Sequence, residues 1–460
     1  MQAQAQWRPR LDGDGSLSDQ IVAALAADID SGRLAPDVKL PTHRRLAEIL
    51  GVGIGTVTRA YMEAEGRGLV TATVGRGTFV ASAAGARGDG DGVIDLARNL
   101  PPAGLAEAHL AEALARVRRR GDLGAHLDYA PPAGGFDAHR RAGARWLAET
   151  ANFADIDWRR LIVTAGAQQA IAIALLAAAR PGTPLIVEAA TFSGIKTLAA
   201  SFGYELIGAA LDAEGLTPEA LDSAAARGAR VAYVQPLQNP TGRLMGLERR
   251  RAIVEVARRR DLMLIEDDLY APYASELERP PLALLAPERT FYVAGLSKSL
   301  APGLRVGYCA PPVGGDWQER CTGALRALAF GPPSFGALVA TQWIEDGSAQ
   351  TILDGHRREL ARRTAAALDL LGDRVARPPN ASATHLWAPM SEIAAERAAA
   401  RALRERVEVT PPSAPIVAAS AGHGLRLCLG GPSSMAAMQK ALAIVVSVLS
   451  ETADPTLEVV

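Results

Sequence analysis

Apolar positions recur along this chain in two rhythms. In "LSDQIVAALAADIDSGRL", Ile21, Leu25 and Ile29 fall on one face at helical spacing. In "LPTHRRLAEILGV", Thr42 follows Pro41 as a natural N-cap for a helix burying Leu46, Ile49 and Leu50, and Gly51 turns the chain. "GIGTVTRAYMEAEGRG" then predicts a second helix, with Val57, Ala60, Tyr61 and Ala64 inward and Thr56, Arg59 and Glu63 toward solvent. Two short helices around a glycine turn predict a helix-turn-helix. "GLVTATVGRGTFVA" predicts a hairpin tipped by Gly75-Arg76-Gly77, which makes the module a winged helix.

The second rhythm starts beyond "SAAGARGDGDG" (82–92), a small, polar, glycine-rich stretch with nothing to bury. Nearly continuous apolar runs at 161–164, 184–188, 231–236, 262–267 and 290–296 alternate with helical segments. That alternation predicts a buried parallel sheet with helices on both faces. From Gly336 a long helical pattern passes into mixed elements around "LRLCLGG", a smaller domain. The expected division is 1–81, a linker at 82–93, a large domain at 94–335 and a small α+β domain at 336–460, an α/β multidomain chain.

Charge changes this picture little. The 460 residues carry 49 Lys and Arg against 50 Asp and Glu, so any polyanion-binding patch must be local. Residues 1–81 are balanced as well, but from Leu40 onward five arginines face three glutamates. Cys309, Cys321 and Cys428 lack the paired spacing of a disulfide framework or zinc site, so no metal is expected. The first residues show no apolar signal segment, and no later stretch approaches a membrane span without charge or proline. A soluble cytoplasmic protein is the expectation.

The chemistry lies at the strand ends. "LIVTAGAQQAIAIALL" is a strand, a small-residue turn and a helix starting near Ala167, whose free N–H groups suit a phosphate. "PLQNPTG" offers Asn239, an amide able to donate to a ring oxygen. "IEDDLYAPY" offers Asp267, a carboxylate able to pair with a protonated pyridine nitrogen, and then the phenol of Tyr270. "GLSKSLAPGLRVGY" offers Lys298, an amine able to condense with an aldehyde. Singly, each has a plainer reading: a helix cap, a turn residue, a loop cation. Together they describe a site for pyridoxal 5'-phosphate (PLP).

The N-terminal module resembles the GntR family of bacterial regulators through "SGRLAPDVKLPTHRRLAEILGV" and "GRGTFV". The resemblance implies a helix in the major groove of double-stranded DNA, with Arg44, Thr56, Thr58, Arg59 and Arg76 facing it. Gly53 and Ile54 stand where family members usually carry Ser or Thr and then Arg. From about Leu96 to Leu449 the chain resembles the fold-type I, class I aminotransferases. This implies Lys298 as the aldimine lysine, Asp267 at the ring nitrogen, and Asn239 and Tyr270 at the ring hydroxyl. It also implies Ala167, Gln168, Ser297 and Arg305 at the phosphate, Phe192 stacked on the ring, and Arg426 on a carboxylate. Gly295 replaces a phosphate-binding Ser or Thr, and Ala190 a common proline. The two parts in this order resemble the MocR subfamily of regulators. That resemblance implies a homodimer that binds an operator and senses an amino compound or PLP. The competing expectation is an active aminotransferase with a vestigial DNA module.

Overall fold

The structure is a computed structural model describing residues 7–11, 15–31, 33–34, 38–66, 69–73, 77–80, 92–129, 131, 134–154, 156–274 and 279–452. The chain divides into two compact units, Met1–Gly88 and Asp89–Val460. The expected linker falls, except for Gly92 and Val93, outside the described residues.

In the first unit, Ser16 opens α1 (Leu17–Asp30): its hydroxyl accepts from the Asp19 amide at 3.3 Å, and its own N–H donates to the Asp19 carboxylate at 3.2 Å. Thr42 caps α2 (His43–Leu50), accepting from the Arg45 amide at 3.3 Å. Gly51, at φ 67°, turns the chain toward α3 (Ile54–Gly66). Ile21, Leu25, Leu46, Val57, Ala60 and Ala64 form the core. Ile49 and Leu50 are only half-buried, because on so short a helix the inward stripe is led by Leu46 and Ala47. β1 (Val70–Thr73) and β2 (Gly77–Val80) pair antiparallel, and residues 38–40 line up beside β2, Leu40 N donating to Thr78 O at 2.9 Å.

The second unit begins with β3 (Ile94–Asp95). Its main sheet contains β4 (Ile162–Thr164), β5 (Pro184–Glu188) and β6 (Glu205–Ala209). After a small hairpin of β7 (Leu211–Asp212) and β8 (Gly215–Leu216), the sheet is completed by β9 (Val231–Val234), β10 (Met263–Asp267), β11 (Thr290–Gly295) and β12 (Gly307–Ala310). The strand order is β4-β12-β11-β10-β9-β5-β6. The expected strands are present, but the sheet is not wholly parallel: β12 runs antiparallel to both β11 and β4. Helices cover both faces, and Ile162, Val187, Tyr233, Ile265, Phe291 and Val293 pack inside them.

In the C-terminal part, β13 (His385–Pro389) pairs antiparallel with β15 (Gly424–Cys428). β14 (Val407–Glu408) pairs parallel with β3, so the first strand after the linker joins the C-terminal part, not the large sheet. All three cysteines are free and buried. No helix among the described residues is long and apolar enough to cross a membrane.

Candidate cofactor and effector site

One cavity of about 320 Å³ is lined by Ala167, Gln168, Phe192, Asn239, Asp267, Tyr270, Ser297, Lys298, Arg305 and Arg426. Every residue singled out for the cofactor or its ligand is therefore at one place. The topology explains this. β4, β9, β10 and β11 run the same way, so the loops after Thr164, Val234, Asp267 and Gly295 leave from one edge. The reversed β12 starts at that edge, with Gly307 between Gly295 and Thr164, and so brings in Arg305.

Glycines shape the phosphate-sized corner. Gly166 precedes the helix Ala167–Ala178 at φ 82°, and a Cβ there would lie 2.7 Å from Arg305 Nη2. A Cβ on Gly307 would lie 2.5 Å from the Gly166 carbonyl carbon. The first-turn amides at Ala167 and Gln168 have no intrahelical acceptors, and the helix dipole favours an anion before them. Arg305 is fixed beside them, Nη2 donating to Ala165 O at 3.0 Å. Gln168 Nε2 donates to Gly194 O at 2.9 Å, and a Cβ on Gly194 would meet the Phe192 ring at 2.3 Å.

Asp267, also in the lining, is buried. Tyr233 donates its hydroxyl to Oδ2, and the Leu269 amide reaches Oδ1 at 3.4 Å. Burial pushes this carboxyl up to about 6, against the Tyr233 hydrogen bond. Lys298 Nζ donates to Asn99 O at 2.6 Å, while Tyr273 holds the Lys298 carbonyl at 2.7 Å. Burial brings this amine down to about 8; Arg426 and Arg305 add to that, and Asp267 opposes it. An amine so placed keeps a larger free-base population near neutrality than an ordinary lysine, as attack on an aldehyde requires.

Arg426, on β15, donates through Nη1 to Asn239 Oδ1 and through Nη2 to Ala97 O and Thr410 Oγ1, each at 2.8 Å. With its oxygen taken, Asn239 has its NH₂ left to offer a ligand. Burial raises the Tyr270 pKa, so it stays a phenol. Sequence reasoning missed Arg98, Asn99 and Gln235 in the lining and Tyr233 behind Asp267. Asn99 donates to Tyr270 Oη at 3.0 Å and lies 3.1 Å from His385 Nδ1; only the fold brings these groups together.

In the first unit, Arg44 and Arg59 are exposed. Thr56 is half-buried, and so is Thr58, whose hydroxyl lies 3.3 Å from His43 Nδ1. Ile54, 48% exposed, opens α3. Arg76 lies outside the described residues.

Residues 91–444 match the family model for class I and II aminotransferases. The chain belongs to that family. Ahead of its aminotransferase domain, residues 17–80 match the model for bacterial regulatory proteins of the gntR family. The two together are the architecture of MocR-type regulators. The uncharacterized HTH-type transcriptional regulator YdeF of Bacillus subtilis (strain 168) is 28% identical over 366 residues, 78% of either chain. The HTH-type pyridoxine biosynthesis transcriptional regulator PdxR of Corynebacterium glutamicum is 27% identical over 375 residues, 78% of this chain and 79% of that one. Among solved structures, the α-aminoadipate aminotransferase LysN of Thermus thermophilus superposes with a TM-score of 0.69 at 24% identity, covering 85% of this chain and 99% of that one. The fold is fold-type I. The cofactor this aminotransferase domain implies is PLP. The residues fit it: a glycine-walled anion corner with Arg305, a buried carboxylate in the same lining, and a desolvated amine.

Proposed function

We propose that this chain is a PLP-dependent, DNA-binding transcriptional regulator that acts in the cytoplasm as a homodimer and senses an amino compound or PLP itself. The observation that carries the reading is the buried Lys298 amine in a cavity with Asp267 and the Gly166–Arg305 corner, in a chain that opens with a winged helix. When bound, PLP supplies an aldehyde for amines and a ring that withdraws electrons from them. Ala167, Gln168, Ser297 and Arg305 bind its phosphate, and Phe192 covers the ring. Asp267 holds a proton on the ring nitrogen. Asn239 and Tyr270 donate to the ring hydroxyl, and Lys298 provides the nucleophilic nitrogen and accepts or returns a proton there. Arg426 selects ligands that carry a carboxylate, which its planar fork grips in two places. Arg44, Thr56, Thr58, Arg59 and Arg76 face the operator, with Thr58 anchored on His43.

An effector changes DNA occupancy only if it binds one arrangement of the protein more tightly than another. The test is DNA retardation by wild type and Lys298→Ala, with and without PLP and a panel of amino acids, read beside the visible spectrum. A wild type whose spectrum and DNA binding both ignore every addition would overturn the reading. Turnover is the second reading, favoured by the retained Lys298, Asp267 and Arg426 at one cavity. Consumption of a 2-oxo acid in the presence of an amino donor would establish it.

A further inference from the structure

The described chain resumes at Gly92, and residues 98–100 already line the site. β3 passes into a turn in which Asp95 Oδ1 accepts from the amides of Ala97 at 2.8 Å and Arg98 at 2.9 Å. Leu96 is tied to the C-terminal part in both directions, its N–H donating to Glu408 O at 2.8 Å and its carbonyl accepting from Cys428 N at 2.9 Å. The carbonyls that follow are held by the site's own cations. Ala97 O accepts from Arg426 Nη2 at 2.8 Å, and Asn99 O from Lys298 Nζ at 2.6 Å. The Asn99 side chain meanwhile donates to Tyr270.

We propose that residues 96–99 report cofactor occupancy: the Lys298–Asn99 hydrogen bond latches the segment that follows the linker, and it is given up when Lys298 captures PLP. The capture is a condensation. The Lys298 nitrogen attacks the aldehyde carbon, a carbon–nitrogen double bond forms, and the aldehyde oxygen departs as water with two hydrogens from the nitrogen. The nitrogen keeps one hydrogen at most and is tethered to the ligand. Asn99 O is then a buried acceptor without its donor, an arrangement proteins avoid, so the segment shifts.

Arg426 forms a second, weaker latch, because Ala97 O also accepts from Thr410 Oγ1 at 3.0 Å and keeps a donor without it. Both bidentate faces of a guanidinium, the Nη1/Nη2 end and the Nε/Nη2 edge, use an Nη2 hydrogen. Those hydrogens are committed to Ala97 and Thr410, so a carboxylate drawn onto Arg426 competes with the Ala97 carbonyl. This inference rests on Lys298 as the PLP-binding lysine, and it adds the route by which occupancy leaves the site.

Amide exchange read by mass spectrometry on the full chain tests the latch. With the cofactor stripped, the amides of residues 96–100 exchange slowly, and PLP speeds them several-fold while the strands of the large sheet stay protected. Lys298→Met keeps the length of the stem but removes the donor. It exchanges fast at 96–100 without PLP, and its DNA retardation lies at the level of PLP-loaded wild type. The latch is overturned if PLP leaves this segment unchanged or slows it. It is equally overturned if the segment in Lys298→Met is as protected as in stripped wild type. If PLP fails to give wild type the visible band of a lysine-bound cofactor, the proposed function fails instead, and the Lys298→Met exchange still decides on the latch.

Discussion

In the aminotransferase domain the titratable groups that would meet a ligand are buried or half-buried and bonded to their neighbours, whereas in the N-terminal module the arginines expected to meet DNA, as far as they are described, are exposed. Asp267 rests on Tyr233, Lys298 on Asn99 and Arg426 on Asn239, and burial moves Asp267 and Lys298 toward neutrality from opposite sides. Arg44 and Arg59 stand in solvent, and Arg45 pairs with Glu48 at 3.1 Å. Desolvated groups in a shared network gain or lose as a unit, because each is the other's replacement for water. Exposed arginines act through counterion release, a small and roughly additive effect for each phosphate met. Substitutions should therefore have large effects in the first region and graded ones in the second.

The largest expected effect is that of Asp267→Asn. Loss of the carboxylate partner of a protonated ring nitrogen removes a charged hydrogen bond, about 3 kcal/mol or roughly a hundredfold in PLP affinity by spectral titration. The stability of the cofactor-free chain should not fall. The carboxyl is raised to about 6 by burial, so its ionised form burdens the folded state increasingly as pH rises from the ordinary carboxylate range toward 6. Asparagine carries no such burden at pH 7. A lowered melting temperature for the variant would place Asp267 in the scaffold instead of the ligand site.

Next comes the DNA face. Arg44→Ala with Arg59→Ala should weaken retardation by about 1 kcal/mol per arginine and lower the slope of affinity against salt by about 2. The cofactor spectrum should not move. A shifted spectrum would break the contrast between the two regions, while an unchanged salt slope would remove both residues from the interface.

A smaller effect follows from Lys298, brought down to about 8. Below that value the amine is protonated and has no lone pair, so capture of PLP slows as pH falls. The rate should rise roughly tenfold from pH 7 to pH 9 and level off above. Stopped-flow absorbance checks this, and a rise that continues beyond pH 10 would mean an amine as free as one in water.

The same contrast governs how much the sequence could tell. The strands at 184–188, 231–234 and 290–295 stand out as apolar runs because both faces of the sheet are covered. β12 is only four residues long and begins with a glycine, so its pattern was too short to show that the sheet reverses there. Lys298, Asp267 and Asn239 were legible because each sits at or just past a strand end within a short local motif. Asn99 was not, since its partners Lys298 and His385 are nearly two hundred and nearly three hundred residues away. Thr58 shows the limit on the other side: the family resemblance turned it toward DNA, but its bond to His43 depends on how α2 crosses α3.

Gly295 offers the finest test, because it asks whether a single hydroxyl matters in a site already so well bonded. It ends β11, is buried, and does not adopt the positive φ that would exclude a side chain. A Cβ there would lie 3.4 Å from Ala167 Cβ, 3.5 Å from Ala167 N and 3.6 Å from Val306 O, all ordinary contacts. Gly295→Ser therefore fits without strain and places a hydroxyl beside the amide expected to hold the phosphate. One added hydrogen bond to an anion should tighten PLP by about 1 kcal/mol, roughly fivefold. The same hydroxyl can instead donate to Val306 O, and then nothing is gained. An unchanged affinity would mean that the backbone amides and Arg305 already satisfy the phosphate. A fivefold gain would show that this chain holds PLP more loosely than its fold permits.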